Sequence, residues 1–246
     1  MPQRLPLFPL GSVLFPGLVL PLNVFEPRYR LLVQDLVGDL PDTAGLETGL
    51  EGGGADGSGD PEEMQVRGFG VVAIRAGHEV GTGNLQALHT VGCVALVREV
   101  TETDDGRYEI VTVGASRFRL VGIDESAGTP YLTGLVEPFG DDDVEDDDSD
   151  GRLTVLADAV SRTFDEYREV LDIGGAGAPD DPRVLSYLVA AAAVLDLDQR
   201  QRLLEAPDTV SRLQAELEVL RREIALIGTF GAVPATELPV WPVNSN

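Results

Sequence analysis

Most active sites are assembled from lysine, histidine, cysteine, serine or paired carboxylates, and this chain is short of the first three. It has one cysteine, Cys93, two histidines, His78 and His89, and no lysine; all 18 of its strong cations are arginine. A phosphate loop of the G-x-x-x-x-G-K-[ST] type needs a lysine to neutralise the phosphates. A serine–lysine dyad needs a neutral amine to accept the serine proton, and arginine stays charged. This chain therefore contains neither. His89 and Cys93 fall four apart in an expected strand, on one face but about 13 Å apart, too far for a direct dyad. Cys93, within VGCVALV, reads as a buried small apolar residue. Gly114–Ala115–Ser116–Arg117–Phe118 departs from G-x-S-x-G at its last position. One cysteine and two histidines are too few for a typical structural zinc site.

Carboxylates are abundant, but they sit in runs. The run Asp141–Asp150, DDDVEDDDSD, offers Asp146, Asp148, Asp150 and Gly151 at positions 1, 3, 5 and 6 of an EF-hand loop. Position 12, where a bidentate Glu is required, is Ala157, and no helix pattern precedes the run. No metal and no cofactor is expected. The net charge of −24 repels nucleic-acid backbones and anionic membranes. No uninterrupted apolar run approaches the length of a membrane span. A single cysteine excludes an intramolecular disulfide framework, so the cytoplasm is the default compartment.

The elements that must position these residues change character along the chain. Leu5 to Leu22 is a series of short apolar stretches, Leu5–Leu10, Val13–Phe15 and Leu18–Leu22, broken by Pro9, Pro16 and Pro21. Proline lacks the N–H a ladder needs, so the pattern predicts several short kinked strands at a barrel corner. Glu26 and Pro27 then open a helix, residues 26–37, which stops near Gly38. Residues 39–65 are acidic and glycine-rich, with too few apolar side chains to offset chain ordering, and read as a disordered insertion. From Val66 to Phe139 the chain is β-rich. Asp105–Gly106 is a hairpin signal, and Tyr108, Ile110 and Thr112 alternate with a second face.

Residues 141–151 form an acidic linker, and 152–230 read as a helical bundle. Its first helix places Leu153, Leu156, Val160, Phe164 and Tyr167 at steps of three and four. Asp181 and Pro182 cap a second, apolar helix. A short helix spans 198–204. The last helix carries Val210, Leu213, Leu217, Leu220 and Ile224, and is expected to pack on the first rather than to dimerise. Residues 231–246 form an irregular tail that includes Trp241.

The string PLFPLGSVLFPGLVLPLNVFEPRYR resembles the opening of the substrate-binding, N-terminal domain of the ATP-dependent Lon proteases. Looser likenesses follow at Gly68–Ile74, Leu88–Val97, Asp105–Leu120 and Leu185–Leu195. The resemblance implies an α+β protein: a PUA-like β-barrel over residues 1–140, then the helical bundle. It implies a role in binding polypeptides. With the missing lysine, the expectation is a stand-alone domain that binds unfolded or extended segments without catalysis, as an adaptor or holdase, alone or with a protease or chaperone as partner. From the packing of the last helix, a monomer or weak dimer is expected. The residues placed to bind are Phe15, Leu18, Phe25, Arg28 and Tyr29 at the strand-to-helix corner, with Phe118 on the opposing hairpin. Arg28 would hold a carboxylate or a backbone carbonyl at the rim. Two alternatives stay open. One is RNA binding through Arg117, Phe118 and Arg119; the other is an enzyme built on converging, desolvated carboxylates.

Overall fold

The computed structural model describes residues 2–38, 68–75, 85–140, 151–174 and 177–230. The 39–65 insertion, His78, nearly all of the acidic linker and the 231–246 tail lie outside these. Strands come first: β1 (Gln3–Leu10), β2 (Val19–Val24), helix α1 (Pro27–Gly38), then β3 (Gly68–Ala73), β4 (Val91–Glu102), β5 (Tyr108–Ile123) and β6 (Thr133–Pro138). Helices α2 (Arg152–Val170), α3 (Pro182–Ala192), α4 (Leu197–Leu204) and α5 (Thr209–Phe230) follow. The architecture is mixed α+β, with one six-stranded sheet in the order β2-β5-β4-β3-β1-β6. Among the described strands only β1 and β3 pair in parallel; β6 pairs antiparallel with both β1 and β5. No helix of the described residues is long and apolar enough to cross a membrane.

The long strand β5 organises the sheet. Its first half, Tyr108–Val113, pairs with β2, and its second half, Phe118–Ile123, pairs with β6. The alternation of its sequence sends Tyr108, Ile110 and Thr112 into the core. The Asp105–Gly106 cue forms the β4–β5 turn, where Gly106 takes a positive φ of 73° and donates its N–H to the Thr103 carbonyl.

The opening prolines behave less uniformly than expected. Leu5–Leu10 and Leu18–Leu22 fall within or across strand segments, whereas Val13–Phe15 is not a strand. Val13 and Phe15 instead pack with Ala73 and Val91 against Tyr187, Ala190, Leu203 and Leu204 of the helices, while Leu14 turns into the sheet core. Pro21 lies in β2, which pairs only with β5 among the described residues, so its missing N–H costs no ladder bond. His89 likewise precedes β4 rather than lying in it.

In the helical part, α2 and α5 share an apolar seam that includes Leu153, Val160, Phe164, Leu213 and Leu220. The three-and-four spacing of α5 is thus spent within the chain. Asp181 caps α3 through the Arg183 and Val184 N–H groups, with Pro182 in the first turn. Asp196 and Gln199 make a reciprocal capping box on α4. These two caps fix where α3 and α4 begin.

Candidate functional site

The FEPRY segment makes the turn from β2 into α1. Phe25 stays 39% exposed at the apex. The Glu26 carbonyl accepts the N–H groups of Tyr29 and Arg30, which closes the first helical turn. Tyr29 drops beneath the corner and stacks on Phe8, with ring centres 4.1 Å apart. Burial pushes the Tyr29 phenol up to about 12, against the pull of Arg28. The Arg28 guanidinium lies over the Tyr29 ring, 4.6 Å from its centre, and its Nε donates to Glu26 Oε2 at 2.7 Å. The rim cation is therefore already neutralised from within the chain.

Facing this corner is the loop that joins β5 to β6. Asp124 shapes the loop's first turn by accepting the Ser126 N–H and hydroxyl, and it is paired with Arg4 at 2.8 Å. Those bonds and the Arg4 charge hold its carboxyl below the usual range. Farther along, the Tyr131 hydroxyl reaches back and donates to Asp35 on α1 at 2.7 Å. Burial and that acceptor push the Tyr131 phenol up to about 12. Between corner and loop lies a cleft of about 300 Å³, walled by Arg28, Ile123, Pro130, Tyr131 and Leu132, with Asp124 and Glu125 at its edge. It can seat one or two side chains of a chain passing over the surface.

The other residues expected at the corner go elsewhere. Phe15 is buried with its ring 6.3 Å from Tyr187, in the joint between sheet and helices. Leu18 is half-buried and packs against both the sheet core and that joint. Phe118 is buried in a separate cluster with Leu7, Val72 and Leu120. It also contributes to a second cleft of about 350 Å³ with Leu5, Leu96 and Phe139. Of the six residues, Phe25, Arg28 and Tyr29 come together and Phe15, Leu18 and Phe118 do not join them. Tyr131, Asp124 and Asp35 were missed. The only cue was the DESAGTPY stretch, which reads as a turn, and nothing local indicates that Tyr131 will reach α1.

The pair Arg117 and Arg119 does not form a surface patch. Arg117 is buried and donates from Nη1 to the carbonyls of Leu204 and Ala206, at 2.8 and 2.5 Å, just where α4 ends. There the cation also meets the negative end of the helix dipole. Only Arg119 remains exposed, lying over Phe139 at 4.8 Å. His89 faces Glu205 at 3.8 Å, beyond hydrogen-bond range, and burial together with Arg75 holds its imidazole below the usual histidine range. Among the described residues no group of three or more His, Cys, Asp or Glu is placed to hold a metal.

Comparison with known proteins agrees with this fold. The family model described as the ATP-dependent protease La (LON) substrate-binding domain matches residues 4–222. The Lon protease 2 of Myxococcus xanthus is 30% identical over 232 residues, covering 91% of this chain but 24% of the relative. The Lon protease of Anaeromyxobacter dehalogenans is 28% identical over 227 residues, covering 91% and 24%. The chain thus spans about a quarter of the length of these relatives. Among solved structures, a Lon N-terminal domain protein from Xanthomonas campestris superposes with a TM-score of 0.54 at 25% identity, covering 88% of this chain and 98% of that one. The N-terminal domain of a Mycobacterium avium complex Lon protease superposes at 0.56 with 15% identity, covering 91% and 98%.

Proposed function

Because this chain belongs to the family of ATP-dependent protease La (LON) substrate-binding domains, we propose that it recognises polypeptide and catalyses nothing itself. The match over residues 4–222 carries this reading, since it takes in the described strands but for the first residue of β1, and all but the end of α5. The lack of lysine supports the noncatalytic half, because neither the phosphate loop nor the serine–lysine dyad can be built from this chain. The cleft beside Arg28, with Phe25 exposed next to it, supplies the contact surface: apolar walls for a side chain and polar groups at the edge. We read the sheet as a PUA-like barrel, with β6 bridging β1 and β5, and residues 1–140 and 152–230 as its two domains. In this reading the protein works in the cytoplasm as an adaptor or a holdase.

Extended polypeptide binds by laying side chains into the cleft rather than by adding a strand to β2. Pro21 withholds a donor from the edge of that strand, which has no second partner among the described residues, and this spoils strand addition. The test is a pull-down that compares unfolded and folded forms of the same model substrates. Retention of the unfolded forms alone is expected. Equal, negligible retention of both would overturn the proposal, as would casein cleavage by pure protein that a point substitution in this chain abolishes.

A further inference from the structure

We propose that the cleft at the α1 corner selects polypeptide segments in which lysine or arginine lies beside an apolar side chain. This rests on the polypeptide-binding reading and goes beyond it by naming the class of segment. The argument is a count of charges at the cleft. Among the described residues, the one cation that lines it, Arg28, is paired with Glu26 at 2.7 Å, and of its two lining carboxylates Asp124 is paired with Arg4 at 2.8 Å. The second carboxylate of the lining, Glu125, is left over, and Asp35 on α1 stands next to the cleft, against the hydroxyl of the lining residue Tyr131. Asp35 is exposed on α1 and receives only the neutral Tyr131 hydroxyl. Glu125 is exposed on the facing loop and has no ion-pair partner among the described residues.

Among the described residues the cleft therefore carries an uncompensated negative charge at Glu125 beside an apolar lining of Ile123, Pro130 and Leu132, with Asp35 adding a second just beyond Tyr131. An acidic segment meets repulsion from Glu125 and would have to displace Glu26 to reach the Arg28 guanidinium. A cationic side chain can pair with Glu125, with Asp35 close by, while its apolar neighbour fills the cleft of about 300 Å³. Arg28, which sequence alone suggested as an acceptor of carboxylates, is occupied by Glu26.

The experiment uses the full chain and three unstructured fluorescent peptides with the same leucine and phenylalanine positions: one lysine-rich, one neutral and one glutamate-rich. Anisotropy titrations at low salt should rank them in that order, and high salt should compress the ranking. Asp35→Asn combined with Glu125→Gln should weaken the lysine-rich peptide about five-fold, as expected for losing two partly exposed charges. A charge-matched control, Asp158→Asn with Glu218→Gln on exposed positions of α2 and α5, should change it by less than about two-fold. Equal loss in both variants would overturn the proposal, because attraction would then come from the overall −24 charge. Equal affinity for all three peptides would overturn it while leaving polypeptide binding intact. Failure of every peptide to bind would overturn both.

Discussion

Arginine serves two opposite purposes in this protein. At the α1 corner Arg28 is partly exposed, rests on Tyr29 and is tied to Glu26 beside an open cleft. At the joint between sheet and helices, Arg117 is buried, caps the end of α4 through two carbonyls and approaches the rings of Phe139 and Tyr187. Arg212 from α5 covers Tyr187 at 3.9 Å and donates to the Ser186 hydroxyl. The corner keeps its cation wet, where an ion pair contributes little; the joint removes its cations from water and compensates them with carbonyls and ring faces. The contrast teaches that the joint holds its cations by desolvated contacts, whereas the corner holds Arg28 through a partly exposed pair with Glu26.

The hardest way to break that contrast is Arg117→Ala. It leaves the Leu204 and Ala206 carbonyls without this buried donor and should cost about 3 kcal/mol, read as a lower urea midpoint. A loss below about 1 kcal/mol would mean the joint is not held this way. Gly114→Ala attacks the same joint from the sheet. A Cβ there would run into the Phe15 carbonyl oxygen and push Phe15 off Tyr187, at about 1–3 kcal/mol. Its thermal midpoint should fall, and the binding of unfolded substrate per folded molecule should not.

Glu216 sharpens the picture of a dry interior. It is buried on α5, one turn from Arg212, with neither carboxylate oxygen hydrogen-bonded, and burial raises its pKa well above the ordinary glutamate value against the pull of Arg212. Its folded-state pKa lies above the unfolded one. The stability it contributes is therefore complete below the unfolded-state pKa and is lost as pH rises through the folded-state pKa. Glu216→Gln should flatten that loss, so its urea midpoint should gain on the parent protein between mildly acid and mildly alkaline buffer. A parallel pH dependence in both proteins would show that Glu216 does not titrate this way. The smallest effect belongs to the corner. Arg28→Ala should lower stability by no more than about 1 kcal/mol, and, by freeing Glu26, it should not weaken a lysine-rich peptide.

Much of the scaffold was legible in the chain because its signals are local. Asp105–Gly106 makes a turn from its own backbone, and Asp181–Pro182 starts a helix whatever lies around it. The three-and-four spacing of α2 and α5 says they need an apolar partner, and they find it in each other. The candidate site was legible only in part. FEPRY reveals a corner, but aromatic side chains look alike in sequence whether they roof a cleft or fill a core, and Phe15 and Phe118 fill cores.

By itself, the sequence determined what chemistry this chain cannot perform and where its helices and turns begin, since amine content and capping are properties of residue type and near neighbours. The tertiary structure alone decided which arginines remain available. Arg117 meets carbonyls 87 and 89 positions away, and Tyr131 meets an aspartate 96 positions away. Such pairings follow from sheet register and helix docking, which bring distant segments into hydrogen-bond range, and no local pattern of residues encodes them.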